Sequence, residues 1–131
     1  MGARRFTVTI DGFHPTYIVV EKMGDVTVAS ITRPSLTEEE TNITQLGYEL
    51  FSLVDEFECR KVVLDMQEVE YVTSAVVGKM ITLHRKLHQT EGRLVLCRLK
   101  EGVEHVLNSL RLIEYFETSS DVDDAVALLT E

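Results

Sequence analysis

The stretch Val62-Val63-Leu64-Asp65-Met66-Gln67-Glu68-Val69-Glu70-Tyr71-Val72-Thr73-Ser74-Ala75-Val76-Val77-Gly78 decides how this chain is read. Val62 to Leu64 is a continuous apolar run that closes on Asp65, the pattern of a strand buried on both faces. A short loop follows. Val76, Val77, Met80, Leu83 and Leu87 then recur at helical steps, which predicts a helix from Ser74 to about Gln89. Thr73-Ser74 therefore stands at a helix mouth. Hydroxyl residues are ordinary caps there. The free amides and positive dipole end of a helix also accommodate a phosphate, so the same position suits a switch.

Upstream, Lys61 to Met66 is preceded by the clearest helix. Ile43, Leu46, Gly47, Leu50, Leu53, Val54 and Phe57 are spaced by three or four, with Asn42 and Gln45 as a capping pair. The run Glu38-Glu39-Glu40 just before it reads as solvated surface that also suits the positive helix end. Further back, Tyr17–Glu21 and Val26–Ile31 are strand-like around a Gly24-Asp25 hairpin, and Phe6 to Ile10 alternates as a half-buried strand.

Downstream, Thr90-Glu91-Gly92 ends the second helix, with Gly92 expected in the left-handed turn. Leu94 to Leu99 is a further buried strand. Glu101 to Leu110 is a short helix with Val103, Val106, Leu107 and Leu110 inward. Tyr115-Phe116 is expected as an edge strand, and Ser120 or Asp121 as the cap of a last helix carrying Val122, Ala125, Val126 and Leu129. Strands alternating with helices predict an α/β domain, with a mixed but mostly parallel sheet, an antiparallel N-terminal strand and about four helices. Residues 1–24 are expected as an N-terminal strand extension to a domain over 25–131.

Composition narrows the function. The 131 residues suit one domain, and 22 acidic against 13 basic residues give a net charge of −9. Such a surface repels nucleic acid and anionic lipid, so a protein partner is the expectation and a direct nucleic-acid or membrane contact is not. No apolar run reaches the ~18 residues of a membrane span. The N-terminus carries no signal core, and Cys59 and Cys97 read as reduced thiols, which together predict a cytoplasmic protein. An N-terminal edge strand offers a way to form a homodimer.

Catalytic motifs are missing: there is no GxSxG, Walker, GxGxxG or HExxH pattern. His84 and His88 have the spacing of metal ligands on a helix, but no further ligand completes a set, so packing explains them better. No catalytic residue, metal or cofactor is expected, and the chain is not read as an enzyme.

From about residue 25 to 129 the chain resembles the STAS domain, the module of sulfate transporters and anti-sigma-factor antagonists. Gly24-Asp25-Val26-Thr27-Val28 is similar to the family's opening strand, and Lys61 to Met66 to its central strand ending in Asp. Val69-Glu70-Tyr71-Val72-Thr73-Ser74 is similar to the approach to its phosphorylatable residue. Val77-Gly78-Lys79-Met80 and Leu83 to Leu87 follow as the helix behind it, then Gly92-Arg93-Leu94-Val95-Leu96 as the next strand. Val106 to Leu112, Phe116 and Asp121 to Ala125 resemble the closing section.

The resemblance implies a regulator that binds an anti-sigma factor or serine kinase and is switched by phosphorylation at the start of the second helix. Ser74 would be the phosphoacceptor and Thr73 the alternative. Asp65, Thr73, Ser74 and Val77 would form the partner-binding region, with Asp65 bonding loop amides. Thr73 stands where the family usually has Asp, and Val76 where it usually has Gly. Two other functions remain open: an unphosphorylated scaffold in which Thr73-Ser74 only caps the helix, and an accessory domain that senses a small ligand in an α/β crevice.

Overall fold

The computed structural model describes residues 13–130 and the backbone of residues 6–7. Twelve elements follow one another. They are β1 (Phe6–Thr7), β2 (Ile18–Met23), β3 (Val26–Ile31), β4 (Ser35–Leu36), α1 (Ile43–Asp55) and β5 (Lys61–Asp65). Then come β6 (Tyr71–Val72), α2 (Ser74–Gln89), β7 (Arg93–Cys97), α3 (Glu101–Ser109), β8 (Glu117–Ser119) and α4 (Val122–Thr130).

Six strands form one sheet in the order β1-β2-β3-β5-β7-β8, antiparallel from β1 to β3 and parallel beyond. This is the expected mixed α/β architecture with four helices. The helices α1, α2 and α3 link parallel strands that step across the sheet in one direction. Right-handed crossovers then place all three on one face. The other face is covered by α4.

The two faces explain the apolar run in β5. Val62 and Leu64 join the larger cluster under α1–α3, whereas Val63 joins the smaller one under α4 with Val28, Val95, Val126 and Leu129. Alternate side chains point to opposite faces, so a central strand with both faces covered has no polar positions until its end.

The β2–β3 hairpin turns at Gly24, whose φ of +64° favours glycine. β2 lies within the extension read over 1–24, yet it is paired along its whole length with β3 in the main sheet. The strand read over 6–10 is described at 6–7 only; residues 8–10 lie outside the described residues.

Three expectations are corrected. The edge strand is Glu117–Ser119, while Tyr115 and Phe116 form the turn before it, with Phe116 buried in the larger cluster. Its three polar residues gave no alternation to read. Leu110 lies just past α3 and is exposed. Gly92 does not adopt the left-handed conformation that closes α2. Glu91 does, at φ +64°, while the Gly92 and Glu91 amides donate to the Leu87 and His88 carbonyls. Gly92 is required instead because a Cβ there would lie 2.4 Å from the Arg60 carbonyl oxygen.

One anchor had no signature in the sequence. Glu49 of α1 is fully buried and accepts hydrogen bonds from the Thr16 and Tyr17 amides and from Gln45 Nε2, at 2.9, 2.8 and 3.0 Å. This carboxylate ties the chain entering β2 to the helix layer. Removing it strands two backbone donors. Glu49→Ala is expected to lower the denaturant-unfolding free energy by about 2–3 kcal/mol, and Glu49→Gln by less.

Candidate phosphoacceptor site at the mouth of α2

The loop that delivers Thr73-Ser74 is held by a second, very small sheet. Two-residue strands β4 and β6 pair in parallel, Ser35 opposite Tyr71 and Leu36 opposite Val72. The Glu70 and Tyr71 amides both donate to the Pro34 carbonyl, at 2.7 and 3.2 Å, and the Thr73 amide donates to Leu36 at 3.3 Å. Leu36 and Val72 are fully buried, so this ladder is pinned to the core. Such short pieces gave too little periodicity to be seen as strands.

On its other side the loop rests on α3. A Cβ on Gly102 would come within 2.3 Å of the Glu70 carbonyl oxygen, so the loop's position depends on a bare glycine. Gly102→Ala is expected to shift the amide NMR resonances of residues 70–74 and to destabilise the domain by about 1–3 kcal/mol.

The two hydroxyls at the helix mouth have different jobs. Thr73 is the N-cap in extended conformation, and its Oγ1 accepts from the Val76 amide at 3.5 Å, while its carbonyl accepts from Val77 at 3.1 Å. Ser74 is the first helical residue and is exposed. Among the described residues its hydroxyl has no hydrogen-bond partner, and the amides of Ser74 and Ala75 have no acceptor. The sequence could not divide the pair, because either hydroxyl satisfies the capping preference. Thr73→Ala should therefore cost about 0.5–1 kcal/mol in chemical denaturation. Ser74→Ala should move stability by less than about 0.5 kcal/mol.

The site's charge is uneven. Loops that follow β3, β5 and β7 all emerge at the carboxyl end of the sheet, where α2 begins. They carry the exposed acids Glu38, Glu39, Glu40, Glu68 and Glu70, and Glu101 follows in the first turn of α3. Lys79, one turn into α2, packs its ammonium 6.0 Å from the centre of the Phe51 ring.

Asp65 and Val77 are placed differently from the partner-binding role read in the sequence. Val77 is 1% exposed inside the larger cluster and offers no contact surface. Asp65 is 3% exposed. It follows Val63 in alternation and so points to the α4 side of the sheet, away from α2. It does bond a loop amide, that of Gln67 at 3.2 Å, but none at the mouth of α2. Its carboxylate also accepts two hydrogen bonds from Arg98, Nε at 3.0 Å and Nη2 at 2.5 Å, one from Ser30 Oγ at 3.3 Å and one from the Cys97 thiol at 3.9 Å. The hydrogen bonds to Asp65 hold the Arg98 guanidinium in its charged form, above the ordinary arginine value. Arg98 keeps a left-handed backbone at φ +55°, and this pair locks the end of β5 to the β7–α3 turn.

A cleft of about 240 Å³ opens beside that pair, over Ser30, Asp65, Gln67 and Arg98, and no residue of α2 lines it. Among the described residues the parallel strands step across the sheet in one direction, with no reversal of the kind that forms a ligand crevice.

Among the described residues neither Cys59 nor Cys97 is in a disulfide, and Cys97 is buried. His84 stacks beside His88 and packs at a tilt against Tyr115. Among the described residues no group of three metal-ligating side chains is found, and no helix is long and apolar enough to cross a membrane.

A strand ending in a buried Asp, an exposed Ser opening a helix behind it, and three helices on one face match a known arrangement. The STAS domain profile matches residues 17–125. The chain belongs to the STAS domain family. A relative in Bordetella bronchiseptica, the candidate anti-sigma factor antagonist BtrV, is 35% identical over 86 residues, which is 66% of this chain and 73% of that protein. A candidate anti-sigma factor antagonist from Thermotoga maritima superposes with a TM-score of 0.77 at 18% identity, covering 86% of this chain and 93% of that one. The Bacillus cell fate determinant SpoIIAA in its phosphorylated form superposes with a TM-score of 0.63 at 13% identity, covering 85% and 97%. The fold of this STAS domain is thus that of anti-sigma factor antagonists, a regulatory and non-enzymatic class.

Proposed function

We propose that this STAS domain is a phosphorylation-switched antagonist that binds an anti-sigma factor or serine kinase through the end of the molecule where α2 begins. The observation that carries this reading is the exposed Ser74 hydroxyl at the first position of α2, left without a partner because Thr73 does the capping. A kinase can reach such a hydroxyl without unfolding the helix. Thr73, whose Oγ1 is engaged as the cap, is the lesser acceptor.

A phosphate on Ser74 adds about −1.5 to −2 charge. The domain tolerates it, since the free Ser74 and Ala75 amides and the helix dipole face it. An apolar or acidic partner surface seated on the same spot does not, because burying or opposing that charge costs several kcal/mol. Phosphorylation then releases the partner with little change in fold. Asp65 serves this site indirectly, by positioning the loop after β5 through Gln67 and Arg98. The relative BtrV and the phosphorylated SpoIIAA support the reading by kinship and by fold. A regulator of this kind acts in the cytoplasm, without cofactor.

A second reading is a domain that binds its partner constitutively. Thr73 in place of the family's usual Asp favours it, since a kinase that reads that Asp would not find it here. One experiment separates the two. Serine kinases and anti-sigma factors of the same genome are tested for binding to the purified chain, and the bound pairs are incubated with ATP and followed by mass spectrometry. The switch predicts phosphate on Ser74, loss of it in Ser74→Ala, and at least tenfold weaker binding of Ser74→Asp, about 1.4 kcal/mol. An unmodified chain, with Ser74→Asp binding as the parent does, would contradict it.

A further inference from the structure

The far end of α2 carries a feature that partner binding at Ser74 does not use. His84 is half-buried beneath the turn that joins α3 to β8. Its ring lies 4.8 Å from that of Tyr115 and 6.0 Å, edge-on, from that of Phe116, and the two aromatic rings are themselves 5.1 Å apart. Phe116 is 4% exposed, so this turn is pinned to the core beside His84. The Nδ1 atom of His84 is buried and meets no hydrogen-bond partner among the described residues.

That orphan atom decides how the site responds to acid. In the neutral ring one nitrogen carries no proton, and a bare acceptor is the milder form of an unmet buried group. In the imidazolium both nitrogens are donors. The second proton then adds an N–H with nothing to receive it, next to two aromatic rings. We propose that protonation of His84 loosens the Tyr115–Phe116 turn from α2, which makes this junction an acid-sensitive element of the fold.

The charged groups around His84 set the balance. His88, one turn further along α2, stacks at 6.3 Å with rings 5° from parallel, and Arg85 and Gln89 line the same cleft. Glu117 of β8 is the opposing carboxylate, but Arg93 of β7 holds it in a two-point ion pair at 3.1 and 2.6 Å. Burial and the neighbouring His88 push His84 below the ordinary histidine value, and Glu117 acts against them more weakly.

The sign follows from linkage. The closed turn binds its proton less readily than the open one. The resulting stabilisation is complete above about pH 6.5 and is lost as pH falls through the interval down to the depressed value. Each unit of depression makes the open turn about tenfold more populated at the acid limit.

Nuclear magnetic resonance on the purified chain tests this. The expected result has three parts. His84 titrates with a midpoint below 6.5, the Tyr115 and Phe116 ring signals move with the same midpoint, and the protection factors of the amides over residues 112–117, taken relative to intrinsic exchange at each pH, fall about tenfold per unit of depression. His88→Gln should raise the His84 midpoint, and Glu117→Gln should lower it. A His84 midpoint at or above 6.5, or ring signals that do not follow it, would overturn the proposal. The parent chain supplies both readouts, so the outcome does not depend on any variant folding.

Discussion

The end of this molecule where α2 begins depends on a ladder of two residues against two. Pairing of Ser35-Leu36 with Tyr71-Val72, backed by the Pro34 carbonyl, fixes where the chain stands as it enters α2. That position puts Thr73 in the extended conformation of a cap and gives its hydroxyl to the helix. Ser74 is then free by consequence. Its freedom is not a property of the residue alone; it follows from an upstream ladder and an adjacent threonine that has already met the local demand for an acceptor. The bare Gly102, on the other flank, allows α3 to approach the same loop closely.

The buried Asp65 and the exposed Ser74 lie on different faces of the sheet. Asp65 sits on the α4 face, buried and divided between Arg98, Ser30 and Gln67, where it joins β5 to the β7–α3 turn. Ser74 sits on the surface at the edge of the other face. A charge added at Ser74 therefore meets solvent, helix amides and any bound partner, rather than the buried ion pair that organises the strand ends. This is the physical basis of the proposed change in binding without a change in fold. The exposed acids gathered at the same end already give it a negative character, to which a phosphate on Ser74 would add.

Much of this was legible in the residues. The apolar run of β5, the helical spacing of α1 and α2 and the Asn42–Gln45 cap each obey a strong local rule, and the structure follows them. What was hidden follows from three physical causes. Two-residue strands have no period to detect, so β6 reads as part of a loop and β4 leaves no mark on the sequence. Side-chain direction at a strand's end depends on which face the strand presents, so the sequence groups Asp65 with Ser74 while the fold sets it across the sheet. Close packing assigns roles that local propensity does not: Gly92 is needed for its approach to Arg60, and Glu91 takes the left-handed turn in its place. Glu49 belongs with these, since a buried glutamate in a helix looks like any exposed one until its partners, sixteen and seventeen residues into the chain, are known.

The central claim is that a phosphate on Ser74 alters a surface and leaves the fold intact. The most direct measurement compares amide NMR spectra of the unmodified chain and the chain phosphorylated at Ser74. The account predicts shifts confined to the start of α2 and the β4–β6 ladder beside it, with the Ser74 and Ala75 amides moving most as they meet the phosphate, and with the Arg98 side-chain signals unmoved. Shifts spread through β5, β7 and α4, or a loss of dispersed signals, would contradict it.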